Sequence, residues 1–201
     1  MPGMGTLSYV ATMSLDGCIT DADGDFGWTA PSPEMFDVHV ERMREVSTEV
    51  LGRKTYDLIR YWTHLPADQP AAHREFARLW RGLDKVVASS TMAADDLADP
   101  VDRLVADLTV ADVREIVAEA TGVVEIFGPT TAAAAMRADL VDRYRFFVVP
   151  VILGGRPAIP ADVHVDLELV HHEVFADGVV HVEYERRRSG SGDQGVSIDI
   201  A

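Results

Sequence analysis

Cysteine is almost absent from this 201-residue chain. Cys18 stands alone, which rules out an internal disulfide and makes a reducing cytoplasm the expected compartment. Basic residues are scarce as well, 18 Lys and Arg against 33 Asp and Glu, and the net charge of −15 excludes a broad surface for nucleic acid or anionic membrane. A local cationic pocket remains possible. No long hydrophobic run exists: the longest, Phe146 to Leu153, is broken by Pro150 and falls far short of the roughly 20 residues that cross a bilayer. The opening Met1-Pro2-Gly3-Met4-Gly5 has neither the basic stretch nor the apolar core of a secretion signal. A soluble protein is expected, with one domain over residues 1–187, long enough for a single core, and a glycine-punctuated flexible tail over 188–201.

What the chain does contain is an alternation of strand and helix signals. Leu7 to Met13 alternates like a strand and runs into an Asp16-Gly17 turn. Ser32-Pro33 opens a helix whose Phe36, Val40 and Met43 share one face. Further strands are expected at 47–52, 85–91, 103–105, 123–127 and 143–149. Helices are expected at 53–61, through Phe76 and Leu79, from Thr109 to about Ala120, and at 132–140. Residues 167–175 and 179–187 read as a hairpin about Ala176-Asp177-Gly178. The pattern predicts a three-layer α/β fold: a mixed, mostly parallel central sheet with helices on both faces, closed by a C-terminal β-hairpin.

Ligands of such sheets collect at the C-terminal ends of strands, beside helix starts, and three stretches qualify. Gly52-Arg53-Lys54-Thr55 puts two cations and a hydroxyl at a strand-to-helix corner, where the helix dipole is already positive and a bound anion makes the pair favourable. Ser89-Ser90-Thr91 places hydroxyls just after a strand. Gly128-Pro129-Thr130-Thr131 offers close backbone approach and, beyond a proline that donates nothing, amides free to face a phosphate. Together they fit an extended ligand with several phosphates, such as a dinucleotide.

Other chemistries fail on spacing. Arg53 separates Gly52 from Lys54 and no earlier glycine is correctly placed, which excludes a kinase-like phosphate loop. Asp21, Asp23 and Asp25 imitate the start of a calcium loop, but Phe26 and Ser32 stand where glycine and glutamate belong. His171-His172 lies in a strand with its side chains on opposite faces, so no metal site is expected. Cys18 reads as a small buried residue without an activating partner.

Val10-Ala11-Thr12-Met13-Ser14-Leu15-Asp16-Gly17, Leu51-Gly52-Arg53-Lys54-Thr55-Tyr56, Val87-Ala88-Ser89-Ser90-Thr91 and Pro150-Val151-Ile152-Leu153-Gly154-Gly155 occur in that order. Together they resemble the dihydrofolate reductase-like superfamily, most closely the reductase domain of the bifunctional deaminase–reductase of riboflavin biosynthesis. The resemblance covers roughly residues 5–187. The zinc signature of the deaminase half needs a Cys-x-x-Cys pair that one cysteine cannot provide, so a stand-alone reductase-like domain is expected.

The resemblance implies NADPH as hydride donor and a homodimer. It would set Gly52, Arg53, Lys54 and Thr55 around the 2′-phosphate and adjoining phosphate, with Arg53 favouring NADPH over NADH. Ser89, Ser90 and Thr91 would line the adenosine end; Gly128, Pro129, Thr130 and Thr131 would cradle the pyrophosphate; Ala11, Met13 and Gly17 would border the nicotinamide. On the substrate side, Asp16 would orient or protonate the ring and Glu34 would pair with an amino-pyrimidine edge. Trp28 and Tyr56 would wall the pocket. Each has a structural alternative: a turn for Asp16, a helix-dipole partner for Glu34, core packing for the aromatics.

The chain departs from the family in two places. Gly128-Pro129 replaces a Gly-Gly or Gly-Ser phosphate loop, and Pro33 stands five residues after Trp28, where folate enzymes carry a carboxylate. The expected activity is NADPH-dependent hydride transfer to dihydrofolate or to a ribosylamino-pyrimidine. The alternative is a nucleotide-binding or dimerising module of the same fold without turnover.

Overall fold

Glycines, caps and β-branched runs set the element boundaries in the computed structural model, which describes residues 5–187; the expected tail lies outside them. The strands are β1 (Leu7–Ser14), β2 (Cys18–Thr20), β3 (Val46–Gly52), β4 (Asp84–Ala88), β5 (Arg103–Val105), β6 (Val123–Phe127), β7 (Arg143–Val149), β8 (Arg156–Pro157), β9 (Leu167–Val174) and β10 (Val180–Arg186). The α-helices are α1 (Pro33–Met43), α2 (Arg53–Ile59), α3 (Ala71–Arg81), α4 (Val110–Glu119) and α5 (Pro129–Arg137). Ser32 caps α1 by accepting from the Met35 amide, and Thr109 with Asp112 forms a reciprocal capping box on α4.

The main sheet runs β5-β4-β3-β6-β1-β7-β10-β9. β5 through β7 are parallel, and β10 and β9 close the sheet as an antiparallel hairpin. This is the mixed, mostly parallel sheet with helices on both faces that the periodicity predicts. Several details differ from expectation. The fourth strand stops at Ala88 rather than residue 91, because the Ser89 hydroxyl turns back to accept from the amides of Thr91 and Met92. α5 begins at Pro129 rather than at 132, because proline suits the first helical position. β2 and β8, too short to show periodicity, pair with each other outside the main sheet.

The two faces of the sheet are chemically different. Against α4 and α5 it presents an apolar surface, where Leu7, Tyr9, Val50, Val86, Val124 and Ile126 pack on Val113, Ile116, Ala132, Ala135 and Met136. Beneath α1 and α3, Glu49, Lys85, Glu125 and Arg145 are all buried. Glu125 accepts from Arg42 of α1 and lies 3.7 Å from Arg145, which also reaches Glu183 on β10 at 3.0 Å. Glu49 accepts from the Trp80 indole at 2.9 Å, and Lys85 lies 3.4 Å from Asp102. Burial pushes the Glu49 carboxyl up and pulls Arg42 down to about 10, which leaves the guanidinium charged near neutrality.

Removing the shared carboxylate strands two buried cations. Glu125→Ala is expected to cost about 3–5 kcal/mol, read as a lower denaturation midpoint. The exposed Glu41→Gln on α1 is expected to change stability by no more than about 0.5 kcal/mol.

Candidate functional site

Adjacent parallel strands end at one level. Val10 and Leu51 both stand beside Phe127, and Gly52 stands beside Ala88. Ala11, Gly128, Gly52 and Ala88 therefore form a row across β1, β6, β3 and β4 at their C-terminal ends, spanning about 14 Å at the usual strand spacing. That width suits an extended ligand better than a lone phosphate.

The centre of the row is tight. A Cβ on Gly52 would come within 2.6 Å of the Thr131 hydroxyl, so only glycine lets β3 and the start of α5 approach this closely. Gly128 holds φ at +83°, a conformation that glycine adopts without penalty, and the hydroxyls of Thr55 and Thr131 both border it. No side chain caps α5, whose first turn carries no acid, so its leading amides and dipole face this corner. The residues present fit an anion.

Two cationic side chains flank it. The Arg53 guanidinium donates to the Thr91 hydroxyl at 3.0 Å and lies 3.6 Å from Asp57, which joins the first two predicted stretches. Lys54 is exposed and has no ion-pair partner among the described residues. α2 itself is only seven residues long, so the dipole expected behind Arg53 and Lys54 is slight, and the strong helix start is that of α5. Arg156 was given no role by sequence reasoning. Its guanidinium donates to the Thr130 hydroxyl at the start of α5, and no carboxylate pairs with it among the described residues. The only sequence signal was its place after Gly154-Gly155.

The substrate-side residues divide. Asp16 accepts from the Ser14 hydroxyl at 2.5 Å and the Gly154 amide at 2.7 Å, and also from Leu153. The Ser14 hydroxyl first, then the Gly154 amide, hold its carboxyl down at about 2. It is thus an anion that clamps the 151–155 loop to the end of β1. Gly17 shares this turn. Met13 borders the row from β1. Glu34 is exposed at the start of α1 and accepts from the Ala176 amide in the hairpin turn at 3.2 Å. Trp28 is half-buried, its indole donating to the Asp25 carbonyl. Tyr56, expected to face substrate, is instead fully buried: its hydroxyl donates to Asp102 at 2.6 Å and accepts from the Ala98 amide at 2.7 Å. Ser89 is buried as a loop organiser, while Ser90 and Thr91 are exposed.

A sheet in this strand order, flanked by helices and closed by an antiparallel hairpin, is that of a dihydrofolate reductase-like α/β domain. Residues 6–181 match the family model of the RibD C-terminal domain, and the chain belongs to that family. Solved structures agree in fold. A protein of Shewanella sp. PV-4, described as belonging to riboflavin biosynthesis, is 23% identical with a TM-score of 0.66 over 91% of this chain and 99% of its own. A diaminohydroxyphosphoribosylaminopyrimidine deaminase/5-amino-6-(5-phosphoribosylamino)uracil reductase of Thermotoga maritima is 16% identical with a TM-score of 0.64; the match takes in 92% of this chain but only 57% of that one. Dihydrofolate reductase of Enterococcus faecalis, complexed with NADP(H), is 18% identical with a TM-score of 0.60 over 92% and 98% of the two chains. No curated protein sequence matches. Family and fold together place the chain among oxidoreductases.

Two outcomes follow from the geometry. Gly52→Ala is expected to destabilise by about 1–3 kcal/mol through overpacking, and adding Thr131→Ala should recover most of the lost denaturation midpoint. For Asp16, whose pKa is depressed, the stabilising contribution is present above the unfolded carboxylate value of about 3.9 and is lost as pH falls towards about 2. The melting-temperature gap between wild type and Asp16→Asn should therefore be constant above about pH 5 and close on acidification.

Proposed function

We propose that the chain is an NADPH-dependent reductase acting on a ribosylamino-pyrimidine or a pteridine of the dihydrofolate type. The observation that carries this reading is the convergence of Gly52, Gly128, Thr55 and Thr131 at the uncapped start of α5, with Arg156 donating to Thr130. Thr130, Thr131 and Arg156 would hold the pyrophosphate. Arg53, already aimed at Thr91, would grip the 2′-phosphate, with Lys54 adding charge from the same corner. Ser90 and Thr91 would line the adenosine end, and Ala11 and Met13 the nicotinamide. NADPH, when bound, supplies the hydride.

The chain's own residues orient the reactants and shield them. Asp16 fixes the 151–155 loop and, through it, the approach of Arg156 to α5. With its carboxyl held near 2, it stays ionised at neutral pH and is a positioning residue rather than a proton donor. Glu34 is the carboxylate left for the substrate edge, and Trp28 would wall the pocket. The homodimer implied by the resemblance and the cytoplasmic location expected from the lone cysteine belong to the same proposal. No helix among the described residues is long and apolar enough to cross a membrane.

A second reading, a cofactor-binding module without turnover, draws support from one observation: both candidate acids already hold backbone amides. Binding and turnover separate the two. NADPH should bind more tightly than NADH, and Arg53→Ala should cut NADPH affinity at least about tenfold, the scale of one charge-assisted hydrogen bond, with little effect on NADH. Equal loss for both cofactors would remove the 2′-phosphate role. Oxidation of bound NADPH on adding a ribosylamino-pyrimidine or dihydrofolate would support the reductase; selective binding with neither substrate turned over would support the module.

A further inference from the structure

The outer hairpin carries a second cluster that the cofactor site does not use. His171 and Glu173 alternate on β9 and so share a face, while His172 points the other way. Across the ladder, His181 on β10 stands directly opposite Glu173, and Glu183 opposite His171. Ligand atoms of His171, Glu173 and His181 all lie within 4.8 Å of one another. The cluster lies on β9 and β10, outboard of β7, on the opposite side of β1 from Gly52 and Gly128.

His181 is the odd member. It is 3% exposed, yet among the described residues neither ring nitrogen makes a hydrogen bond, Nε2 standing only in ion-pair range of Glu183 at 3.4 Å. Buried polar atoms are almost always partnered, so an orphaned imidazole asks for an occupant. Its ring is locked in place, stacked on Phe147 at 4.4 Å between centroids with planes 4° apart; the His39 ring meets Phe147 at the same separation. The His171 ring lies 5.3 Å from it. Glu183 is engaged by Arg145 at 3.0 Å, which suits it to orient an imidazole rather than to ligate.

We propose that His171, Glu173 and His181 form a zinc site that fastens the edge strand β9 to β10, with the fourth position left to water. Two imidazoles and one carboxylate are the donors zinc takes with three protein ligands, and they do not suit calcium or magnesium, which favour all-oxygen shells. Ligand bonds of about 2.1 Å put tetrahedral donors about 3.4 Å apart, so closing the site needs shifts on the order of an ångström in side chains on a solvent-facing strand. The site departs from the sequence expectation because alternate residues, not the adjacent His171-His172 pair, share the face.

The test is titration of the chelator-stripped full chain with zinc alone by calorimetry, and with cobalt alone by its four-coordinate visible absorption. One equivalent should bind and raise the melting temperature. His171→Ala and Glu173→Gln, both on the edge strand, should each weaken binding at least about tenfold, the loss typical of disturbing a metal's ligand set, and abolish the thermal shift while leaving NADPH binding unchanged. His181→Ala should do the same if it folds. Absence of one-equivalent binding, or zinc affinity unchanged in His171→Ala and Glu173→Gln, would overturn the proposal.

Discussion

One buried carboxylate holds the layers in register. Glu125, fully buried in the strand next to β1, receives Arg42 from the helix above and lies 3.7 Å from Arg145 on β7. Burying three charges carries a desolvation penalty that well-packed apolar residues would avoid, so stability alone is a poor reason for the arrangement. Direction is a better one. Apolar contacts let α1 slide over the sheet, whereas a guanidinium hydrogen-bonded to one buried carboxylate limits where the helix can sit. Arg145 passes the constraint on to Glu183 and so to the hairpin. The strand fixed in this way is the one that ends at Phe127 and delivers Gly128 to the cradle.

The opposite face works by shape. Small residues on α5, Ala132 and Ala135, let that helix settle onto Tyr9, Val124 and Ile126, and its start falls where Thr131 meets Gly52. The 150–158 segment completes the corner through polar contacts. Leu15 donates to Val151, Ala158 donates to Gly17, the Tyr9 hydroxyl donates to the Ala158 carbonyl, and Asp16 collects the amides between them. Arg156 reaches α5 because this loop is laced at both ends. Asp16 thus holds in place the loop that carries Arg156.

Most of the fold was legible because its elements announce themselves locally. The Ser32-Pro33 cap, the Thr109–Asp112 box and the Ala176-Asp177-Gly178 turn depend on residues a few positions apart. The corner where Gly52 and Gly128 both meet Thr131 was legible for the same reason, since each glycine stands at the end of a strand. What was missed depends on distant partners. β2 and β8 pair across most of the chain in segments too short to carry a period. Glu49, Lys85, Glu125 and Arg145 are charged, yet all lie buried beneath α1 and α3, a fact no local pattern contains. Tyr56, next to Thr55 in sequence, points into the core because Asp102, far along the chain, is there to accept its hydroxyl.

The proline after Gly128 bears on how an anion would be held. A Gly-Gly or Gly-Ser loop offers one more amide than Gly128-Pro129 does, and a lost donor in a phosphate site is ordinarily a lost contact. Here Pro129 occupies the first helical position, where its fixed φ costs nothing and preorganises the turn. The missing donor has a replacement close by: the Arg156 guanidinium, anchored on Thr130 at the next residue. A guanidinium brings a full charge where an amide brings a dipole, and charge-assisted hydrogen bonds are roughly twice as strong as neutral ones. An anion bound here would then depend less on backbone amides and more on a side chain whose placement depends on the Asp16 clamp. In a chain carrying a net charge of −15, Arg156 and Lys54, neither paired with a carboxylate among the described residues, mark where a polyanion would approach without meeting its own sign.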